Sequence, residues 1–213
     1  GAASLMALTA CSGGTASSSQ SSTSAAASSS SSAPSSITIE SDQGNVEIKL
    51  PVQRVASLDN RTFEVLEQWN VPLVAAPKKL IPSTVKAYNT DSVADIGMHR
   101  DPNLEALAAS NPDLIISGQR FTRFDAQIAE MNPGVPLINL EPRDGKPLNE
   151  ELIRQVTDLG EIFGHQEDAK KLVDDFNNAL NRAKKAYDGK STVMAVDVSG
   201  GNIGYVAPSK RSE

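Results

Sequence analysis

The stretch Asp95–Arg120 restricts the possible folds more than any other part of the chain: a helix-period segment, a break, then a short run with no polar face. Asn103 can cap a helix that buries Leu104, Leu107 and Ala108 at three-to-four spacing. Pro112 disfavours helical geometry at Asn111, so the helix ends there. Leu114-Ile115-Ile116 then suits a parallel strand covered on both faces. Ser117-Gly118-Gln119-Arg120 follows at its carboxyl end, the side of an open α/β sheet where ligands bind.

The rest of the chain extends that pattern. Ile37–Glu40 and Val46–Leu50 alternate apolar and polar around a turn-forming Ser41–Asn45, which predicts a hairpin. Val55–Leu58 reads as the first parallel strand, and Asp59–Thr62 as a polar turn in which Thr62 can cap a helix burying Phe63, Leu66 and Trp69 or Asn70. Strands are expected at Val71–Ala75 and Val135–Leu140, a short helix near Ser83–Tyr88, and a helix over Phe121–Glu130 with Phe124, Ile128 and Met131 on one face. Two long helices follow. Asn149–Phe163 sets Leu152, Val156, Leu159 and Phe163 in register, with Gly160 small enough for close packing, and Gly164 ends it. Gln166–Tyr187 carries the stripe Ala169, Leu172, Val173, Phe176, Leu180, Ala183 and Tyr187. After Ser191, two strand-like runs flank Ser199-Gly200-Gly201-Asn202, a hairpin turn.

The first 36 residues are different in kind. No charged residue occurs from Gly1 to Ser36, and from Ser12 the segment is mostly Ser with Ala, Thr and Gly. It cannot bury enough apolar surface to offset its ordering entropy, so disorder is expected. Its cysteine, Cys11, stands in Leu8-Thr9-Ala10-Cys11-Ser12 behind the apolar Leu5–Leu8, and this resembles a bacterial lipobox. The resemblance implies that 1–10 is a signal-peptide remnant and that Cys11 carries a diacylglycerol anchor. Residues 11–36 would then be a tether, its span on the order of 25–30 Å for a flexible chain.

Charge and motifs exclude several classes. The net charge of −6 and the lack of a basic stripe with interleaved aromatics argue against nucleic acid. Ser199-Gly200-Gly201-Asn202 is not followed by a helix, so it fails as a phosphate or dinucleotide loop. Of the two histidines, His99 lies in a polar loop that could face a cleft but reads first as solvated, and His165 after a helix-ending glycine reads as a surface cap residue; they do not supply a metal site. No catalytic residue and no cofactor are expected.

Three motifs bear a family resemblance: Arg54-Val55-Ala56-Ser57-Leu58-Asp59, Pro102-Asn103-Leu104-Glu105-Ala106-Leu107, and Asn111-Pro112-Asp113-Leu114-Ile115-Ile116. Together they resemble the class III solute-binding proteins of ABC importers, which serve ferric siderophores, haem and cobalamin. The resemblance implies an α/β fold with an amino-terminal lobe over 37–148. Helices over 149–189 would include a rigid interlobe helix, and 190–213 would begin a truncated second lobe. It implies a monomeric lipoprotein, anchored on the extracytoplasmic face of a bacterial membrane, that hands its ligand to a permease and ATPase complex. The ligand expected is an Fe(III)-siderophore of catecholate type; cobalamin or haem, and more remotely an α/β enzyme, are the alternatives.

The arginines carry the expected ligand contacts. In a parallel sheet Arg61 and Arg120 leave the same edge, and Arg123 lies one turn further on. Guanidinium groups suit a bulky trianion because they are always charged, weakly hydrated and able to stack on aromatic rings. Ile116–Arg120 resembles the segment in petrobactin- and enterobactin-type receptors where an arginine meets the ligand, and Pro208-Ser209-Lys210-Arg211 resembles their second-lobe cationic region. The resemblance thus implies Arg211 as the cation facing Arg120, and Glu105 as a docking residue for the permease.

Overall fold

The computed structural model describes residues 35–187 and the backbone of two further strands, β8 (Ala195–Ser199) and β9 (Asn202–Val206). Cys11, Arg211 and the turn at Gly200-Gly201 lie outside the described residues. The described residues begin with the expected hairpin, β1 (Ser36–Ser41) with β2 (Gly44–Lys49), antiparallel. A five-stranded sheet follows, built from β3 (Val55–Ser57), β4 (Leu73–Ala76), β5 (Ala94–Asp95), β6 (Leu114–Ser117) and β7 (Leu137–Asn139). Every pairing in it is parallel, in the order β5-β4-β3-β6-β7.

Alternation along the strands creates two cores. Val55, Leu114, Ile116 and Ile138 face one side of the sheet, and Ala56, Ile115 and Leu137 face the other. The first side is covered by Phe63, Leu66 and Trp69 around α1 (Phe63–Gln68) and by Leu159 and Ile162 of α4 (Leu148–Phe163). The second is covered by Leu104 and Leu107 of α2 (Leu104–Ala109) and by Ile128 of α3 (Asp125–Met131). With a helical layer on each face, all four residues of β6 are buried; Leu114, Ile115 and Ile116 are apolar, and Ser117 finds a partner in Asp125.

Local chemistry ends the helices where expected. The Asn103 side chain accepts a hydrogen bond from the Ala106 N–H at 2.9 Å, the N-cap interaction. Asn70 and Asn111, just beyond α1 and α2, take left-handed φ of 55° and 49°, a conformation asparagine tolerates better than most residues. Gly164 does the same after α4 at φ 73°, and α5 (Gln166–Ala186) begins almost at once.

Four details differ from the periodic reading. Thr62 holds the N-cap position of α1 without capping it, because its hydroxyl donates to the Asp59 carbonyl at 2.7 Å. The segment near Ser83–Tyr88 forms turns in place of a helix: Glu67 of α1 accepts the N–H groups of Lys86 and Ala87, both at 2.8 Å. Gln119–Phe124 winds as a 3-10 helix ahead of α3, a path that buries both Phe121 and Asp125. In α4 the buried face runs through Glu151, Gln155, Leu159 and Ile162, rotated by about a residue from the apolar stripe, because two polar side chains on it have internal partners.

α4 and α5 meet at a glycine. A Cβ on Gly160 would lie 2.5 Å from the Ala169 Cβ and 3.1 Å from the His165 carbonyl oxygen. His165 precedes α5, stacks on Trp69 with ring centroids 5.1 Å apart, and pairs with Asp168 at 2.8 Å. Gly160→Ala should therefore cost about 1–3 kcal/mol of unfolding free energy by overpacking. Ala169→Gly in the same chain should recover part of it. Urea unfolding of the two single variants and the double variant measures both terms.

Candidate functional site

The chain runs outward through β3, β4 and β5, then returns to place β6 on the other side of β3. The boundary between β3 and β6 is the point where strand order reverses, and the loops at their carboxyl ends form the crevice used by open α/β sheets. Those loops are Asp59–Thr62 and Gly118–Arg123.

Asp59 is the anchor of this edge. Its side chain is wholly buried, so it needs compensating donors. Oδ1 accepts from the Arg61 main-chain N–H at 3.0 Å and its Nε at 3.1 Å; Oδ2 accepts from Arg61 Nη2 at 2.8 Å and Gln155 Nε2 at 3.2 Å. Gly118 permits the approach of the neighbouring loop, since a Cβ there would lie 2.7 Å from Asp59 Oδ2. Burial works against the Arg61 charge, but the hydrogen bonds and charge of Asp59, helped by Glu141, keep its pKa above the ordinary value. Glu141 lies 3.4 Å from Arg61 Nη2 and also accepts the Gln119 N–H. Gln119 presents that N–H from a left-handed φ of 54°.

A second group of cations lies beside the first. Arg120 Nη1 is 3.2 Å from His99 Nε2, and Arg123 Nη2 donates to the His99 carbonyl at 2.5 Å. The His99 ring meets the buried Phe121 edge-on, with centroids 6.4 Å apart, and the Arg123 guanidinium lies 4.7 Å over the Phe124 ring. Burial, then the charges of Arg120, Arg100 and Arg123, lower the His99 pKa. Among the described residues, no carboxylate forms an ion pair with any of these arginines.

Buried polar contacts hold the loops from beneath. Asp125 accepts from Ser117 of β6 and, at 2.9 Å, from Asn139 of β7. Burial raises its pKa while those two donors pull it back. On α4, Glu151 lies between Arg143 and Arg154, each with an Nη2 at 2.8 Å. Arg154 also donates to the carbonyls of Glu40 and Glu141, which ties the hairpin, the β7 exit and α4 together.

Arg61, Arg120 and Arg123 thus share one edge of the sheet, but Arg61 is neutralised internally while Arg120 and Arg123 are exposed. Glu105 is exposed in the first turn of α2. Asp59, Gly118, Glu141 and Gln155 were not visible as site residues in the sequence; the one available signal was a polar residue directly after a buried strand. His99 is half-buried and held by Arg120 and Phe121, the less favoured of its two sequence readings. Among the described residues no group of three or more His, Cys, Asp or Glu side chains could hold a metal.

The acidic pair on α4 sets opposite pH responses. Hydrogen bonds from Arg143, with those from Arg154, lower the Glu151 pKa from 4.5 to about 2. Its contribution to stability is present above pH 4.5 and lost as pH falls towards about 2. Burial raises the Asp158 pKa from 3.8 to about 6, against the pull of Arg154. Its folded state therefore favours the proton, and that contribution is lost as pH rises through about 6. Asp158→Asn should stabilise the chain at neutral pH and give no gain at about pH 4, whereas Glu151→Gln should destabilise it at neutral pH by a margin that narrows in acid. Chemical denaturation across that range reads out both.

The chain matches the periplasmic binding protein family over residues 55–213. It is 33% identical over 139 residues to the ferric-anguibactin-binding protein FatB of Vibrio anguillarum, covering 64% of this chain and 43% of FatB. It is 20% identical over 173 residues to the petrobactin-binding protein YclQ of Bacillus subtilis, covering 80% of this chain and 53% of YclQ. The chain therefore spans about half the length of these relatives. Among solved structures, the siderophore-binding protein BauB, bound to a complex of two acinetobactin molecules and ferric iron, superposes with a TM-score of 0.66 at 22% identity, covering 81% of this chain and 62% of BauB. A match that begins at β3 and takes in the whole parallel sheet shows that the chain belongs to the periplasmic binding protein family.

Proposed function

We propose that this chain is part of an ABC-importer substrate-binding lipoprotein that captures a ferric siderophore and delivers it to a membrane permease. The observation that carries this reading is the cation cluster of Arg100, Arg120 and Arg123 at the reversal point of the sheet, without a carboxylate partner among the described residues, in a chain whose overall charge is −6. Such a cluster favours an anionic ligand rich in acceptor oxygens. The relatives FatB, YclQ and BauB, which bind ferric anguibactin, petrobactin and ferric acinetobactin, support iron chelates as that class.

In this reading Arg120 and Arg123 contact the ligand, and Arg61 supports them by holding Asp59 and Glu141 in place. Residues 37–148 form the amino-terminal lobe and 149–189 the connecting helices; 190–213 begin a second lobe from which Arg211 faces Arg120. Glu105 docks to the permease. Cys11 carries the lipid that retains the protein on the extracytoplasmic face of the membrane, with 11–36 as tether. No helix among the described residues is long and apolar enough to cross a bilayer.

Calorimetric titration with a panel of ferric siderophores tests the reading, on this chain and on one extended through a complete second lobe. Trp69 is buried against His165, so heat is a better readout than tryptophan fluorescence. Arg120→Gln and Arg123→Gln should each weaken binding by about tenfold or more, the loss of a charge-assisted hydrogen bond. Arg61→Gln should instead lower stability, because it strands the buried Asp59. Failure of the extended chain to bind any ferric siderophore would sink the assignment.

A further inference from the structure

The geometry around His99 points to a proton-linked anion subsite: we propose that His99, with Arg100, Arg120 and Arg123, binds an anionic oxygen-rich group and takes up a proton on the His99 ring as it does so. This deepens the ligand-binding reading above and rests on it for the identity of the natural ligand.

The tautomer follows from the donors. Arginine only donates hydrogen bonds, so the contact between Arg120 Nη1 and His99 Nε2 at 3.2 Å requires an unprotonated Nε2. The ring proton is then on Nδ1, which is buried and has no hydrogen-bond partner among the described residues. As placed, the ring meets Arg120 as a neutral imidazole acceptor, and turning it over would set a carbon opposite Arg120. The ring's edge-on contact with Phe121 and the bond from Arg123 to the His99 carbonyl hold the loop in that position.

The charged side chains that act on the ring are positive. Arg100 comes from its own loop, and Arg120 and Arg123 come from the 3-10 segment packed against it. In the same loop, Asp95 is engaged with the main-chain N–H groups of Lys78 and Gly97. A fourth positive charge on His99 is therefore disfavoured, and burial followed by these three charges lowers its pKa. An anion seated on Arg120 and Arg123 reverses that balance.

Protonation would also change the arrangement. It removes the acceptor at Nε2 and so frees Arg120 Nη1 for the ligand. The added charge and the freed donor act in the same direction. Binding of the anion must then raise the His99 pKa, and by linkage the affinity must rise as pH falls through the His99 titration. Each unit of pKa rise corresponds to a tenfold gain in affinity, so an effect of about three- to tenfold is expected between about pH 7.5 and about pH 5.5.

Benzene-1,3,5-trisulfonate is a suitable probe because its charge is fixed across that range. The chain has only two histidines, so their imidazole NMR signals can be assigned with His99→Gln and His165→Gln. The trisulfonate should raise the pKa of His99 and leave that of His165 in place. Its affinity should increase on acidification in the native chain and in His165→Gln. In His99→Gln, whose amide oxygen can keep the acceptor for Arg120 but cannot be protonated, the affinity should be flat with pH. A His99 pKa unmoved by saturating trisulfonate, or an equal pH slope in His99→Gln, would overturn the proposal. Ferric siderophores distinguish this from the reading above. If the trisulfonate moves His99 while no ferric siderophore binds the extended chain, the proton link stands and the siderophore assignment falls. If ferric siderophores bind with neither pH dependence nor a change at His99, the reverse holds.

Discussion

A carboxylate without water needs several donors, and the buried side chain of Asp59 imposes that requirement on three parts of the fold at once. Arg61 must fold back across its own turn, α4 must bring Gln155 to the end of β3, and the loop after β6 must pass close enough that only glycine fits at 118. The parallel pairing of β3 with β6 aligns those elements, and the Asp59 contacts keep them aligned beyond the last ladder hydrogen bonds. Without the pairing partners, an uncompensated charge would remain in the interior at the edge where the sheet reverses.

This requirement divides the cations of the edge into two sets. Arg61, Arg143 and Arg154 are used inside the structure, each against at least one carboxylate that is itself almost completely buried. Arg120 and Arg123 make contacts that leave their charge uncancelled: an imidazole nitrogen, a carbonyl and a ring face. An acidic chain can therefore carry a locally positive group of side chains, because electrostatics at contact distance depend on local compensation more than on net charge.

Much of the fold was legible in the sequence because its cores are built from periodic apolar faces. Leu114–Ile116 announced a strand covered on both sides, Asn103 a cap, and Gly160 a close helix crossing, and each has a direct counterpart in the structure. Buried polar pairs have no such period. Glu151 and Gln155 look like a solvated helix face until their partners, distant in sequence, are known. For the same reason Glu67 capturing the Lys86 and Ala87 amides, and Asp59 capturing Arg61 and Gln155, could not be foreseen. The arginines of the candidate site were visible as residue types at the right strand ends; which of them was already neutralised was not.

The contact between Gly160 and Ala169 also has a mechanical meaning. α5 has 21 residues, which makes it a rod about 31 Å long. A tilt of about 10° at its amino-terminal pivot would displace its far end by about 5 Å over that length. One missing methyl group near the pivot thus sets the angle at which this rod leaves α4.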